Sequence, residues 1–330
     1  MKNILSLLLF LAFFKSYSQD VIFSQNFLVP ETLNSSFTGA IRSTKVGSVF
    51  KSQWRNSALK TSSNFAFADT WLEGYKTGIG VSFLNQKESG SGYTFNQVNF
   101  NFAMAFEIGN SWFFRPSIST GFGMKNYGFQ NLLLEDQINL NNSSINTSSI
   151  DPILLNSQRS FFDFSSSVIF NNQDSWFGLT LRHLNKPNIS LTQGGNVPLD
   201  IFMSVHAKYN LPVFRNYRTW LGSKSKAYIL GNYMNQRTYS RMDFGLQYVF
   251  DDKFSVGMTM FTVPDNSTNS LTSSLSTFLG LRAKGYRFGY SYDINTSQLI
   301  NSGGVHEFSI SYDFDINIRA LNRYKCISFF

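Results

Sequence analysis

Along most of the chain every second residue is apolar. Successive side chains of a β-strand point to opposite faces, so this period of two marks strands with one apolar face and one polar or small face. From Gln97 to Ile108 one face carries Val98, Phe100, Phe102, Met104, Phe106 and Ile108, and the other Gln97, Asn99, Asn101, Ala103, Ala105 and Glu107. Met242, Phe244, Leu246, Tyr248 and Phe250 alternate with Arg241, Asp243, Gly245, Gln247 and Val249. Phe254, Val256, Met258 and Met260 repeat the pattern, as do Phe308, Ile310, Tyr312 and Phe314 between Glu307, Ser309, Ser311 and Asp313. So do Ile201, Met203, Val205, Ala207 and Tyr209 between Phe202, Ser204, His206 and Lys208. A soluble sheet would need a second layer over each apolar face. A closed barrel turns those faces to lipid and the small and polar faces to its lumen.

Such runs predict about fourteen strands, an even number as in single-chain bacterial barrels. They begin near Val46, Ser63, Thr77, Tyr93, Ser111, Arg159, Ser175, Leu199, Lys226, Tyr239, Lys253, Leu271, Gly285 and Gly303, the first three being the least regular. Gly109-Asn110, Asn171 to Asp174, Asp251-Asp252 and Ala283-Lys284 are short, turn-prone links, and each is an even-numbered connection. The odd-numbered connections include the longest, Tyr127 to Gln158, with Asn185 to Pro198 and Pro264 to Ser270. Outer-membrane barrels pair short periplasmic turns with longer extracellular loops. The expected fold is therefore an all-β transmembrane antiparallel barrel with a periplasmic N-terminus. Asn210 to Ser225 is the one long link where a short turn is expected.

The first residues read as an export signal. Lys2 precedes the apolar run Ile4 to Phe14, and Ser16-Tyr17-Ser18 offers small residues for cleavage before Gln19. Eleven residues of helix rise only about 16 Å, short of a ~30 Å hydrocarbon core. The expected layout is a signal peptide at 1–18 and one domain at 19–330. Within that domain lie an N-terminal arm (19–45), the barrel (46–315) and a C-terminal tail (316–330). Phe330 matches the usual end of a barrel-assembly signal, although Phe314 ends the better strand.

Composition agrees. Phe is abundant (35), charged residues make up only 15%, and the mean hydropathy is slightly negative. A lipid-facing wall with a polar interior accounts for all three. The single Cys326 excludes an internal disulfide. The net charge of +8 falls to +6 without Lys2 and Lys15 and is spread along the chain, which does not mark a nucleic-acid surface.

Candidate chemistry is sparse. His183, His206 and His306 have no metal-ligand spacing, and one cysteine is too few for a Cys-based zinc site. A Ser-His pair could be assembled from the many serines, but that abundance makes it uninformative; satisfied lumen or rim histidines are the plainer reading. Asp163, Asp243, Asp293 and Glu307 fall on lumen faces, with Lys51, Arg55 and Arg241. A structural charge network is favoured there over a permeation path. The sequence points to no catalytic residue, metal or cofactor, and so to no enzyme.

Several residues carry a family likeness. Gln19-Asp20-Val21-Ile22-Phe23-Ser24-Gln25, followed by Pro30, Leu33-Asn34 and Phe37-Thr38-Gly39, resembles the opening of the PorP/SprF family of type IX secretion system outer-membrane proteins. It departs at Val21 and Ser35, where the family has proline, and at Ser36. Gln53-Trp54-Arg55 is similar to a second element. Asp163-Phe164 with Trp176 to Pro187, containing His183, resembles a third, with Ser165 in place of a glycine. Tyr290-Ser291-Tyr292-Asp293 and Gly304-Val305-His306-Glu307 resemble a fourth, and Cys326 to Phe330 a divergent form of the family's ending.

The resemblance implies a non-enzymatic barrel in the outer membrane. It would support secretion or surface anchoring of an adhesin or other secreted protein through that protein's C-terminal domain of the type B kind. It also implies contact with periplasmic secretion or gliding machinery and with outer-membrane lipids. The departures in the opening motif point to an adhesin-dedicated paralogue over a core machinery component. Tyr127 to Gln158, then Asn185 to Pro198, are the loops expected to engage the partner, although polar loops can also be merely solvated. The alternatives are a diffusion porin or ligand transporter and, last, an outer-membrane lipase or protease.

Overall fold

The computed structural model describes residues 20–314 except 58–59, 110, 129–132, 134, 140–141, 143, 147–156, 192–193, 212–224, 266–269 and 296–302. The expected signal peptide, the expected tail with Cys326, and most of the 127–158 and 210–225 connections therefore lie outside the described residues.

Fourteen antiparallel strands form the wall: β1 (Lys45–Gln53), β2 (Thr61–Leu72), β3 (Thr77–Glu88), β4 (Thr94–Met104), β5 (Phe113–Asn126), β6 (Gln158–Asn171), β7 (Trp176–Arg182), β8 (Phe202–Asn210), β9 (Lys226–Gln236), β10 (Tyr239–Phe250), β11 (Phe254–Asp265), β12 (Ser270–Ala283), β13 (Tyr286–Asn295) and β14 (Val305–Asp313). Each pairs with its sequence neighbours, and β1 pairs with β14 from Lys45↔Asp313 to Gln53↔Val305, which closes the ring. Closure leaves no wall strand with an unpaired edge in lipid. Phe106–Glu107 continues β4 after a break at Ala105, and Ile138–Asn139 with Ser144–Ile145 makes a small hairpin in the long fifth connection. Every strand begins within three residues of its expected start.

The outward faces carry the predicted apolar rows: Val98, Phe100 and Phe102 on β4, Met242, Phe244 and Leu246 on β10, Val256, Met258 and Met260 on β11, all exposed. At the end bearing the even-numbered connections, aromatic rings meet across strands. Phe114 lies 4.9 Å from Phe170, Tyr286 4.5 Å from Tyr312, and Phe250 5.8 Å from Phe254. Rings of this kind form the interfacial girdles of membrane barrels. Tight turns close this end: Asp251 and Asp252 both take positive φ (49° and 52°), as do Lys284 and Gly285 (47° and 87°), the backbone that two-residue hairpins need.

The lumen departs from the sequence expectation. It is not simply polar: Phe65, Phe67, Phe95, Phe161, Trp176, Phe202, Tyr228 and Phe278 all point inward and are buried. On β2 the aromatic residues Phe65, Phe67 and Trp71 face in, while Asn64, Ala66 and Ala68 face out. This inversion is why the first strands alternate poorly. The inward rings pack against the arm, residues 20–44, which runs through the lumen. From Phe23 to Ile41 only Glu31 and Ser35 are less than fully buried. Phe23, Phe27, Leu28, Val29, Phe37 and Ile41 share one apolar core with Phe65, Phe67, Trp176, Tyr228 and Phe278. The arm bends through two 3₁₀ turns, Pro30–Thr32 and Ser35–Phe37. It leaves the lumen at the even end to start β1 at Lys45, whereas Asp20 lies beside the odd-end termini of β7 and β9. The start of β1 thus lies at the even end, and the start of the arm sits toward the odd end.

The close packing of arm on wall is sharpest at Gly39, whose φ is +66°, and Gly78 on β3. A Cβ on Gly78 would stand 2.1 Å from the Thr38 carbonyl oxygen, a backbone atom that cannot swing aside. Gly78→Ala should lower barrel stability by ~1–3 kcal/mol through this overpacking. Gly74→Ala, with nothing within 4 Å of its Cβ, should leave the thermal transition in detergent unchanged. Equal transitions for the two variants would show that the arm does not press on β3.

Candidate functional site

The lumen is wide enough to need a filling, and the arm is held in it at successive levels by buried polar contacts. Burying an unpaired polar group costs several kcal/mol, so these contacts decide where the arm sits. Around Ser24 and Gln25 the anchor is Glu307 on β14, whose carboxylate accepts both backbone N–H groups at 2.8 and 3.0 Å. Gln25 Nε2 donates to the Glu307 carbonyl at 2.9 Å, and Ser309 Oγ donates to Gln25 Oε1. Ser24 Oγ donates to Asp293 on β13, and Lys51 on β1 lies 3.4 Å from Glu307 and donates to the Ile22 carbonyl. Glu307 is fully buried. Its charge is balanced by Lys51 and by the two amide hydrogen bonds, the condition under which a buried carboxylate is tolerated.

Midway along, Asn34 caps the second 3₁₀ turn by accepting from Ser36 N at 2.7 Å. Its amide donates to the Val168 carbonyl and approaches His206 Nε2 at 3.0 Å. His206 Nε2 therefore accepts, and Nδ1 carries the proton toward Ser204 Oγ at 2.9 Å. Ser204 in turn donates to Asn232, whose amide donates to Asp243, and Asp243 pairs with Arg241 at 2.6 Å. The chain of contacts crosses from the arm through β8 and β9 to β10. The Ser204–His206 pair is wholly buried and its hydroxyl proton is engaged by Asn232, so it is a strut, not a nucleophile. Lower down, Arg115 donates to the Ser36 and Thr38 carbonyls at 3.1 and 3.0 Å, and Asp69 accepts from Gly39 N. Lys45 binds Glu31 at 2.7 Å.

At the odd end His183 lies between two carboxylates: Nδ1 is 2.9 Å from Asp163 and Nε2 2.9 Å from Asp20. Both nitrogens donate, so the ring is an imidazolium. Burial disfavours that charge, but Asp20 and Asp163 outweigh it and lift the pKa from 6.5 to about 9. Burial also pushes Asp20 up, and His183 and then Arg182 more than reverse this, leaving it well below the usual carboxylate range. Arg182 reaches Asp20 at 3.5 Å and the Thr32 and Leu33 carbonyls at 2.6 and 3.1 Å. Beside this cluster a cavity of about 90 Å³ is lined by Tyr93, Phe95, Gln97, Lys125 and Leu199.

Of the residues singled out from sequence, Phe23, Ser24, Gln25, Pro30, Asp293, Glu307 and His183 meet in this arm-and-wall system. Phe23 packs on Phe65, their ring centroids 6.1 Å apart, and Pro30 opens the first 3₁₀ turn. Pro187 is buried just beyond His183, its carbonyl accepting from Leu199 N. Tyr292 and His306 stand together on the outer face near the odd rim, 4.8 Å between rings, and the Tyr290 hydroxyl contacts His306 at 3.0 Å. Gln53 ends β1, and Trp54 takes a left-handed φ of 56°. That turn puts Arg55 on the exposed first connection, so the expectation of a lumen position for Arg55 is corrected. Sequence reasoning missed Asp20, Asn34, Asp69, Arg115, Arg182 and His206 as arm contacts. The signal it could have used is the excess of bulky aromatics on inward positions, which a water-filled lumen would not need.

A closed fourteen-strand barrel with apolar outward rows and an aromatic girdle defines a protein of the outer-membrane barrel class. Its fold is like that of the CymD monoaromatic hydrocarbon channel (TM-score 0.50, 11% identity, covering 89% of this chain and 93% of that one). The outer membrane protein Omp33 of Acinetobacter baumannii (0.45, 6%, 83% and 98%) and the P. putida toluene transporter TodX (0.48, 7%, 86% and 93%) also match. At such identities the likeness is one of fold alone. No curated protein matches in sequence. The description of the type IX secretion system membrane protein family PorP/SprF matches residues 15–312, and the chain belongs to that family.

The His183 contacts make a pH prediction. A pKa raised from 6.5 to about 9 supplies stability that is fully present below about pH 6.5 and is lost as pH rises through 9. The total is on the order of 3 kcal/mol. His183→Gln should remove it at pH 6 and flatten the dependence between pH 6 and 9. Native protein whose thermal transition does not change over that range would refute the imidazolium.

Proposed function

We propose that this barrel is a holding device of the type IX system. It receives a secreted surface protein at the end of the long connections and supports its export or its anchoring through that protein's C-terminal domain. The observation that carries this reading is the filled lumen: a pore built to pass solutes would not pack its interior with Phe23, Phe27, Leu28, Val29 and Phe37. Family membership supports a setting with secretion machinery and cargo. The finer assignments belong to the same proposal: residues 1–18 are a cleaved signal peptide and 19–330 one outer-membrane domain. The even-numbered turns face the periplasm, so β1 starts there. The partner is a type B-like adhesin or other secreted protein, and gliding motility is one process such a partner serves.

Two measurements separate this from the porin or transporter reading. In planar bilayers the purified chain should show no stable conductance; discrete, long-lived open channels from the native chain would contradict the holding role. A tagged barrel recovered from outer membranes of cells that express type IX cargo should carry a secreted surface protein with it. Recovery of the barrel alone would count against the partner.

A further inference from the structure

We propose that the pocket holding Asp20 is a carboxylate receptor that the chain fills with its own side chain and that a carboxylate of a docked peptide can take over. This rests on the reading that a secreted protein approaches the odd end. Three side chains converge on the Asp20 carboxylate: His183 Nε2 at 2.9 and 3.0 Å, Arg182 Nη1 at 3.5 Å and Gln236 Nε2 at 3.2 Å. Gln236 also accepts from the Asp20 backbone N–H at 2.9 Å. The convergence has the form of a peptide-carboxylate site with its ligand in place.

Two features make the occupant exchangeable. The first is its position. Val21 and Ile22 are half-buried, and the deep apolar packing of the arm begins only at Phe23, so Asp20 can leave without disturbing the Glu307 anchor. Its side chain is 13% exposed and that of Arg182 22%, against 0% for Glu307. The second is the neighbouring cavity of about 90 Å³, which gives an incoming side chain or chain end room beside the seat. Lys125 lines it, its ammonium 5.6 Å from the Phe95 ring. With Asp20 swung out, Arg182 and His183 are left with Asp163, while Lys125 lines the same cavity; its other carboxylates, Glu31 and Asp69, are already engaged by Lys45 and by the Gly39 amide. The excess positive charge in a poorly solvated site favours a new carboxylate. Asp163, fixed behind His183, disfavours a doubly charged phosphate.

The source is an acidic side chain or a C-terminal carboxylate. The test uses the full-length barrel in detergent and three peptides carrying a neutral dye: Gly-Ser-Gly-Ser-Gly as the free acid, Gly-Ser-Asp-Ser-Gly as the amide, and Gly-Ser-Gly-Ser-Gly as the amide. Fluorescence anisotropy reads binding. Asp20→Ala should bind at least one of the acidic peptides roughly tenfold or more tightly than the native chain, and the neutral amide no better than the native chain does. Which acidic peptide gains identifies the source. Adding Arg182→Gln should abolish the gain, with heat-shifted gel mobility showing that each variant is a closed barrel. Equal binding by Asp20→Ala and the native chain, or a gain that survives Arg182→Gln, overturns the receptor. His183→Gln on the native background gives a second check, since it should weaken any residual acidic-peptide binding. A gain here with no surface protein in the pull-down would keep the receptor and reject the partner proposed above.

Discussion

A ring of fourteen strands is wider than the side chains of its own wall can fill. About eight strands give an interior that side chains just close, and larger rings leave a channel or need a plug. Here the chain supplies the plug before it builds the wall. Once a segment enters the lumen, its amides and carbonyls need partners, and the wall provides them. Glu307 takes two amides, Arg115 donates to two carbonyls, and Arg182 to two more. The same carboxylates and cations would be destabilising if buried without the arm, so arm and wall are mutually dependent.

The molecule therefore has two apolar surfaces on opposite sides of one sheet. The outer surface meets lipid, and its rows of Phe, Met and Leu need only be long and apolar. The inner one is an ordinary close-packed core, with Trp176 wedged between Phe27 and Phe37 at centroid distances of 6.0 and 5.2 Å. Among the described residues, a small cavity lies beside the arm near His183 and Lys125. This arrangement suits a protein that holds something at one end, and the odd end carries both the longest connections and the partly exposed Asp20–Arg182 contact of the arm.

The wall was readable from sequence because alternation needs no tertiary information: lipid on one side and lumen on the other impose it strand by strand. The turn-prone links Asp251-Asp252 and Ala283-Lys284 were legible too, and Asp251, Asp252 and Lys284 take positive φ there. The arm was not readable as a plug. It has no period of two or 3.6, and its 3₁₀ turns are set by Pro30 and the Asn34 cap together with contacts far away in sequence. Phe65 and Phe67 read as irregularity because their side of β2 is apolar on the lumen side. Arg55 was misplaced because the period was carried two residues past the end of β1 at Gln53, beyond which Trp54 turns the chain. His183, read as a lumen or rim residue, lies just past β7 in a left-handed backbone (φ 59°) that turns its ring back toward Asp20 and Asp163; such strain is held only where surrounding contacts demand it.

Everything rests on the arm lying inside the ring. The most direct measurement is a cross-link between arm and wall in intact outer membranes, in a chain whose Cys326 is replaced by serine. Ser36 and Ser117 hydroxyl oxygens lie 2.9 Å apart, within the reach of a disulfide. The double variant Ser36→Cys, Ser117→Cys should form that bond on mild oxidation in nearly every assembled molecule, with each single variant leaving a free thiol. Fully assembled barrels in which the two cysteines remain unlinked would contradict the account.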